Sequence, residues 1–146
     1  MRELMMPGVT ATNLHYKSSY NDRILAMEDA AFQSMAKMMA SGMTGNKEKQ
    51  GQITNWILQA DRTTYVYGYT DLMKTDVRPQ LSNIQADALV LVAPTFGAIG
   101  KENMEKQYAN LNRKSVVVAP NGKHFIMFDS KKWFYEQINR FIQIGN

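Results

Sequence analysis

Two histidines occur in this chain of 146 residues, and only one sits where chemistry is expected. His124 follows a β-branched run and a turn signal, Val116-Val117-Val118-Ala119-Pro120-Asn121-Gly122-Lys123-His124. Phe125-Ile126-Met127-Phe128 and then Asp129 come next. A histidine held where a buried strand gives way to a loop is placed to act as a general base, since its ring titrates near neutrality. The other histidine, His15, has no companion at metal-ligand spacing and reads as a surface or cap residue. Neither a metal nor a cofactor is expected: cysteine is absent, and Gly97 and Gly100 lack the rest of a phosphate-loop pattern.

The elements that must position His124 can be read from apolar spacing. Ile24, Met27, Ala31, Met35 and Met38 recur in steps of three and four, which predicts one helix from Asn21 to about Ser41. Gly42 and Gly45 close it. A second helix is expected over 50–60, with Ile53, Trp56, Ile57 and Ala60 on one face. Asp61 is placed to cap a third, reaching about Lys74 and carrying Tyr65, Tyr69, Leu72 and Met73. Arg78-Pro79 ends that region, because proline drives its predecessor out of the helical basin.

Beyond Pro79 the pattern changes. Leu81 and Ile84 anchor a connector, and Ala88–Ala93 then runs apolar without alternation, as a strand covered on both faces does. A loop over 94–100, a helix over 101–111 and a second buried strand over 115–119 follow. Asp129 or Ser130 is expected to cap a last helix that buries Phe134, Ile138, Phe141 and Ile142. Strand, helix, strand, helix implies a parallel α/β layer. Two strands make a poor sheet, so further strands are expected alongside.

The ordered set Asp76-Val77-Arg78-Pro79, Leu81 with Ile84, the strand at Ala88, and Asn121-Gly122-Lys123-His124-Phe125 resembles the C-terminal half of an α/β-hydrolase. That resemblance implies a partial α/β-hydrolase fold: a helical cap over residues 1–80, then two parallel strands with flanking helices over 81–146. It also implies serine-type cleavage of an ester, amide or related acyl bond, with His124 as the catalytic base. Two departures stand out. No Gly-x-Ser-x-Gly elbow occurs, and the loop Ala93–Gly100 has no carboxylate. The nucleophile is therefore expected upstream of Met1, and the chain alone is expected to be inactive. Asp76 and Glu102 are candidates for the acid that orients His124. Asp129 reads instead as a helix cap. A non-catalytic module for an apolar ligand or a protein partner is the alternative.

Nine of the eleven methionines fall between Met1 and Met73. Methionine adapts to irregular apolar shapes, so Met5, Met6, Trp56, Tyr65, Tyr69 and Phe125 are candidate walls of a pocket for a small-molecule substrate with an apolar or aromatic acyl group. The remaining composition is ordinary, at 45% hydrophobic and 21% charged. The net charge of +4 is diffuse, and Arg113-Lys114 and Lys131-Lys132 build no nucleic-acid footprint. No apolar run approaches the roughly 20 residues of a membrane span. Cysteine usage leaves the compartment open, with a slight lean to the cytoplasm. A homo-oligomer, or a missing N-terminal half, would complete the sheet.

Overall fold

A computed structural model describes residues 18–94 and 97–144. Contacts divide them into two compact units: residues 18–40 with 50–76, and residues 41–49 with 77–144. The second unit thus takes in a short segment from within the helical region.

The first unit is built from α1 (Ser19–Leu25), most of α2 (Asp29–Met43) and α3 (Lys47–Gln59), and α4 (Arg62–Lys74). Ser18 starts α1, its hydroxyl accepting the Asn21 amide at 3.2 Å. The single helix expected over 21–41 is two helices, interrupted at 26–28. The interruption is held by a distant residue. The Arg62 guanidinium donates to the Met27 carbonyl and to Asp29 Oδ1 at 2.7 Å, and lies 4.4 Å from the centre of the Phe32 ring. A carbonyl engaged this way no longer needs a helical partner.

The break also shifts the buried stripe. Phe32, Ala36 and Ala40 form it, while Met38 is 68% exposed. Asp61 caps α4 as expected, its carboxylate accepting the Thr64 amide at 2.8 Å. The stretch 65–69 is helical within α4, and Val66, Thr70 and Met73 are its buried positions, with Leu72 exposed. Inside this unit the buried Asn21 amide donates to Thr70 Oγ1 at 3.0 Å, and that hydroxyl donates to the Val66 carbonyl at 3.0 Å. A polar pair taken from water must be satisfied, and this one is.

The second unit has a 3-10 turn (Arg78–Asn83), β1 (Ala88–Val92), α5 (Gly97–Gln107), β2 (Lys114–Val118), the single turn α6 (Ile126–Asp129) and α7 (Lys131–Ile144). The two strands are parallel, with Ala88 opposite Lys114 and Val92 opposite Val118. Strand, helix, strand, helix is the order expected, and the parallel pairing agrees with it. Helix α5 begins at Gly97, not after Gly100, so the loop following β1 is shorter than expected. The strands are half-covered rather than enclosed: of β1 only Val92 is buried, and β2 has no buried residue.

Leu111, Ala119 and Ile126 complete a small apolar core, and on α7 Phe134, Ile138 and Phe141 are half-buried while Ile142 is 57% exposed. The expectation that α7 buries all four is therefore corrected. Its apolar face has too little sheet to lie on.

Ladder geometry shows where more sheet would go. The Ala88 amide donates to the Arg113 carbonyl, and the Ala119 amide to the Val92 carbonyl. With that register, alternate residues Leu89 and Leu91 turn their backbone groups to the opposite edge of β1, where no described strand lies. At the amino ends of the strands Arg113 grips Asp87 with both arms, at 2.7 and 2.8 Å, and both side chains are more than half exposed. Such a pair contributes little beyond about 1 kcal/mol.

Replacing Thr70 by Val removes the acceptor of Asn21 while keeping shape. The first unit is expected to lose about 1–2 kcal/mol in urea unfolding followed by far-ultraviolet circular dichroism. An unchanged midpoint would contradict the assigned role of that buried pair.

Candidate functional site

Parallel strands bring their carboxyl ends together, and the loops beyond them are where α/β sheets gather functional groups. Here those loops are the segment after β1, starting at Ala93 and Pro94, and the turn Asn121–Phe125 after β2. An open cleft of about 700 Å³ lies against them, lined by Gly45, Asn46, Pro94, Asn121, Lys123 and Phe128 among others. His124 is exposed, its ring edge-on to Phe125 with centroids 5.1 Å apart. Among the described residues its imidazole has no hydrogen-bond partner.

The turn that carries His124 is otherwise tied down. Gly122 adopts φ +111°, a left-handed conformation that a side chain would strain, and a Cβ there would stand 3.0 Å from Asp129 Cβ. Asp129 Oδ2 accepts the Lys123 amide at 2.7 Å. Its other oxygen accepts the Thr44 hydroxyl at 2.5 Å and the Gly45 amide at 2.9 Å. Ser130 donates its hydroxyl to the Asn121 carbonyl at 3.0 Å and also to the Asn121 side-chain oxygen. The Phe125 amide reaches the Met43 carbonyl at 3.0 Å, and Lys123 Nζ the Ser41 carbonyl at 2.6 Å. Phe125 and Phe128 stack at 5.3 Å, with Lys49 Nζ 5.6 Å from the Phe128 ring centre.

Asp129 is thus not the helix cap expected from its position. It closes α6, and its carboxylate is spent on Thr44, Gly45 and Lys123 rather than on first-turn amides of α7. Burial pushes this carboxyl up, but the Thr44 hydroxyl and the amides of Lys123, Gly45 and Asn46 outweigh that and hold it below its ordinary value of 3.8. Ser130 keeps the cap position only through its backbone, whose carbonyl accepts the Phe134 amide at 2.9 Å.

The other candidates are scattered. Glu102 lies on α5 and pairs with Lys106 at 2.8 Å, which holds its carboxyl below the usual range. Asp76 is exposed just after α4, in the first unit. Neither Glu102 nor Asp129 directs its carboxylate to His124. Trp56, Tyr65 and Tyr69 belong to the first unit, and Phe125 to the second. Trp56 is 49% exposed. Tyr65 donates to Met39 Sδ at 3.3 Å and meets Phe32 edge-on at 6.3 Å. Burial, then the neighbouring Tyr20, raises the phenols of Tyr65 and Tyr69. Met5, Met6 and His15 lie outside the described residues.

Thr44, Gly45 and Asn46 are the site residues that periodicity passes over. A local signal existed: Asn46 caps α3, its side-chain oxygen accepting the Lys49 amide at 3.1 Å. Their union with Asp129, across 84 and 85 positions, has no such signal. Among the described residues no group of three or more His, Asp or Glu side chains is placed to hold a metal ion, and no helix is long and apolar enough to cross a membrane. Comparison with protein-family models, with curated proteins and with solved structures finds no match for this chain.

Two outcomes follow for this turn. Gly122→Ala is expected to cost about 1–3 kcal/mol, read as a lower urea midpoint of the second unit. Asp129 has a folded pKa below its unfolded one, so its contribution is complete above pH 3.8 and falls away as pH drops through the folded value. Asp129→Asn should therefore be less stable than the parent at pH 7 by about 1–3 kcal/mol, with the gap closing in acid. A gap that is independent of pH would show that the charge plays no part.

Proposed function

We propose that this chain supplies the cap and the histidine-bearing C-terminal half of an α/β-hydrolase, acting on ester, amide or related acyl bonds. One observation carries the proposal: a histidine stands exposed on a braced turn just past the carboxyl end of the second of two parallel strands. An imidazole in that place is open to a reacting group, and it makes no hydrogen bond to the described residues that would have to break first. The edge of β1 at Leu89 and Leu91, without a partner strand among the described residues, supports further strands beside it, from an upstream segment or a second chain.

In the completed enzyme His124 takes the proton of a serine hydroxyl as that oxygen bonds to the acyl carbon. It then delivers the proton to the departing alcohol or amine. The serine, the donors for the oxyanion and the acid that orients the imidazole come from outside the described residues. Phe125, edge-on to His124, remains a proposed contact for an apolar or aromatic acyl group, on the chemistry of its ring. The absence of an orienting carboxylate on His124 among the described residues favours a second reading. In that reading the chain is a non-catalytic module that holds an apolar ligand or a protein partner.

The purified chain is expected to hydrolyse p-nitrophenyl esters no faster than buffer. Joined to upstream coding sequence bearing a Gly-x-Ser-x-Gly elbow, it should turn them over, with His124→Ala lowering kcat by about 10³-fold or more. Turnover by the chain alone that disappears in His124→Ala would place the nucleophile within these 146 residues. A joined protein that stays inactive, or is indifferent to His124→Ala, would favour the binding module.

A further inference from the structure

We propose that Asp129 is a positioning residue for His124: its carboxylate fastens the turn 121–124 to the loop 44–46 and so fixes where the imidazole is presented. The inference rests on His124 being the general base, and it adds the group that sets the base's place.

The contacts are unevenly distributed along the turn. Asn121 is held by the Ser130 hydroxyl, Gly122 lies against Asp129 Cβ, and Lys123 is bound through its amide to Asp129 and through its ammonium to the Ser41 carbonyl. Phe125 is bound through its amide to the Met43 carbonyl and stacked on Phe128. Among these anchored neighbours His124 is exposed, with its ring edge-on to Phe125 and without a hydrogen bond to the described residues. A frame held this closely around one unencumbered imidazole spares the ordering that a mobile base would need before each proton transfer.

Asp129 is central to the frame because one carboxylate joins both sides. Oδ2 faces the turn; Oδ1 faces Thr44 and Gly45. Thr44 is fully buried, and its hydroxyl also accepts the Asn46 amide at 3.1 Å, so the loop side is itself fixed. Cutting the carboxylate from either side should let the turn drift without dismantling the strands. These are joined by their own ladder.

The chain's two histidines make the test direct. In a ¹H–¹³C correlation spectrum of the histidine rings, with His15→Gln used for assignment, His124 should appear as one sharp signal displaced by the Phe125 ring. In Asp129→Asn and in Thr44→Val that signal should lose its displacement or split, while the strand amide signals stay in place. Thr44→Ser, which keeps the hydroxyl, should restore it. A His124 signal unmoved in both disruptive variants would overturn the proposal. If Asp129→Asn unfolds the second unit, Thr44→Val decides the question, since it leaves the carboxylate and its two amide bonds. The ring signal is read without turnover. An inactive completed enzyme therefore counts against the hydrolase reading alone, and an unmoved signal against this inference alone.

Discussion

One carboxylate closes the second unit. Asp129 gathers a hydroxyl from Thr44, an amide from Gly45 and an amide from Lys123, joining a loop between two helices to the turn beyond β2. Partial burial alone would push its proton affinity up; the donors reverse that, and the net effect is a carboxyl held below its ordinary value. Bonds to a charged acceptor are stronger than those between neutral groups. Among the described residues the apolar core of this unit is small, with Val92, Leu111, Ala119 and Ile126 as its buried members. In so thin a core a polar tie of this kind carries an unusual share of the local order.

The strands define the other constraint. Parallel pairing sends both chains out at the same end, so the segment after β1 and the turn after β2 converge on one cleft. Asn121, Gly122 and Lys123 line that cleft, and His124 is the next residue of the same turn, itself outside the lining. The same pairing leaves Leu89 and Leu91 facing an edge without a partner strand among the described residues. Both the proposed hydrolase and an assembly with another chain draw on that edge.

Much of the second unit was legible in residue order. Unalternating apolar runs located both strands to within a residue or so, and the intervening helix fixed their parallel sense. Asp61 announced its helix through a local hydrogen bond, which spacing can reveal. What failed depended on distant partners. The break at 26–28 is held by Arg62, some 35 positions away, and it turned the buried stripe from Met35 and Met38 to Phe32, Ala36 and Ala40. Asp129 looked like a cap because a helix begins just after it. Its real partners at 44 and 45 could not be inferred from local pattern. The position of His124 after the last strand was legible; the frame that holds it was not.

Amide hydrogen exchange at Lys123 and Gly45, followed residue by residue as pH is lowered, tests the central claim most directly. If Asp129 binds both, the two amides exchange slowly at neutral pH, at rates comparable with strand amides such as Val90, and lose protection together as the carboxylate is protonated below pH 3.8. Exchange as fast as in an unstructured peptide, or protection of the two that is lost at unrelated pH values, would show that no shared carboxylate joins the turn to the loop.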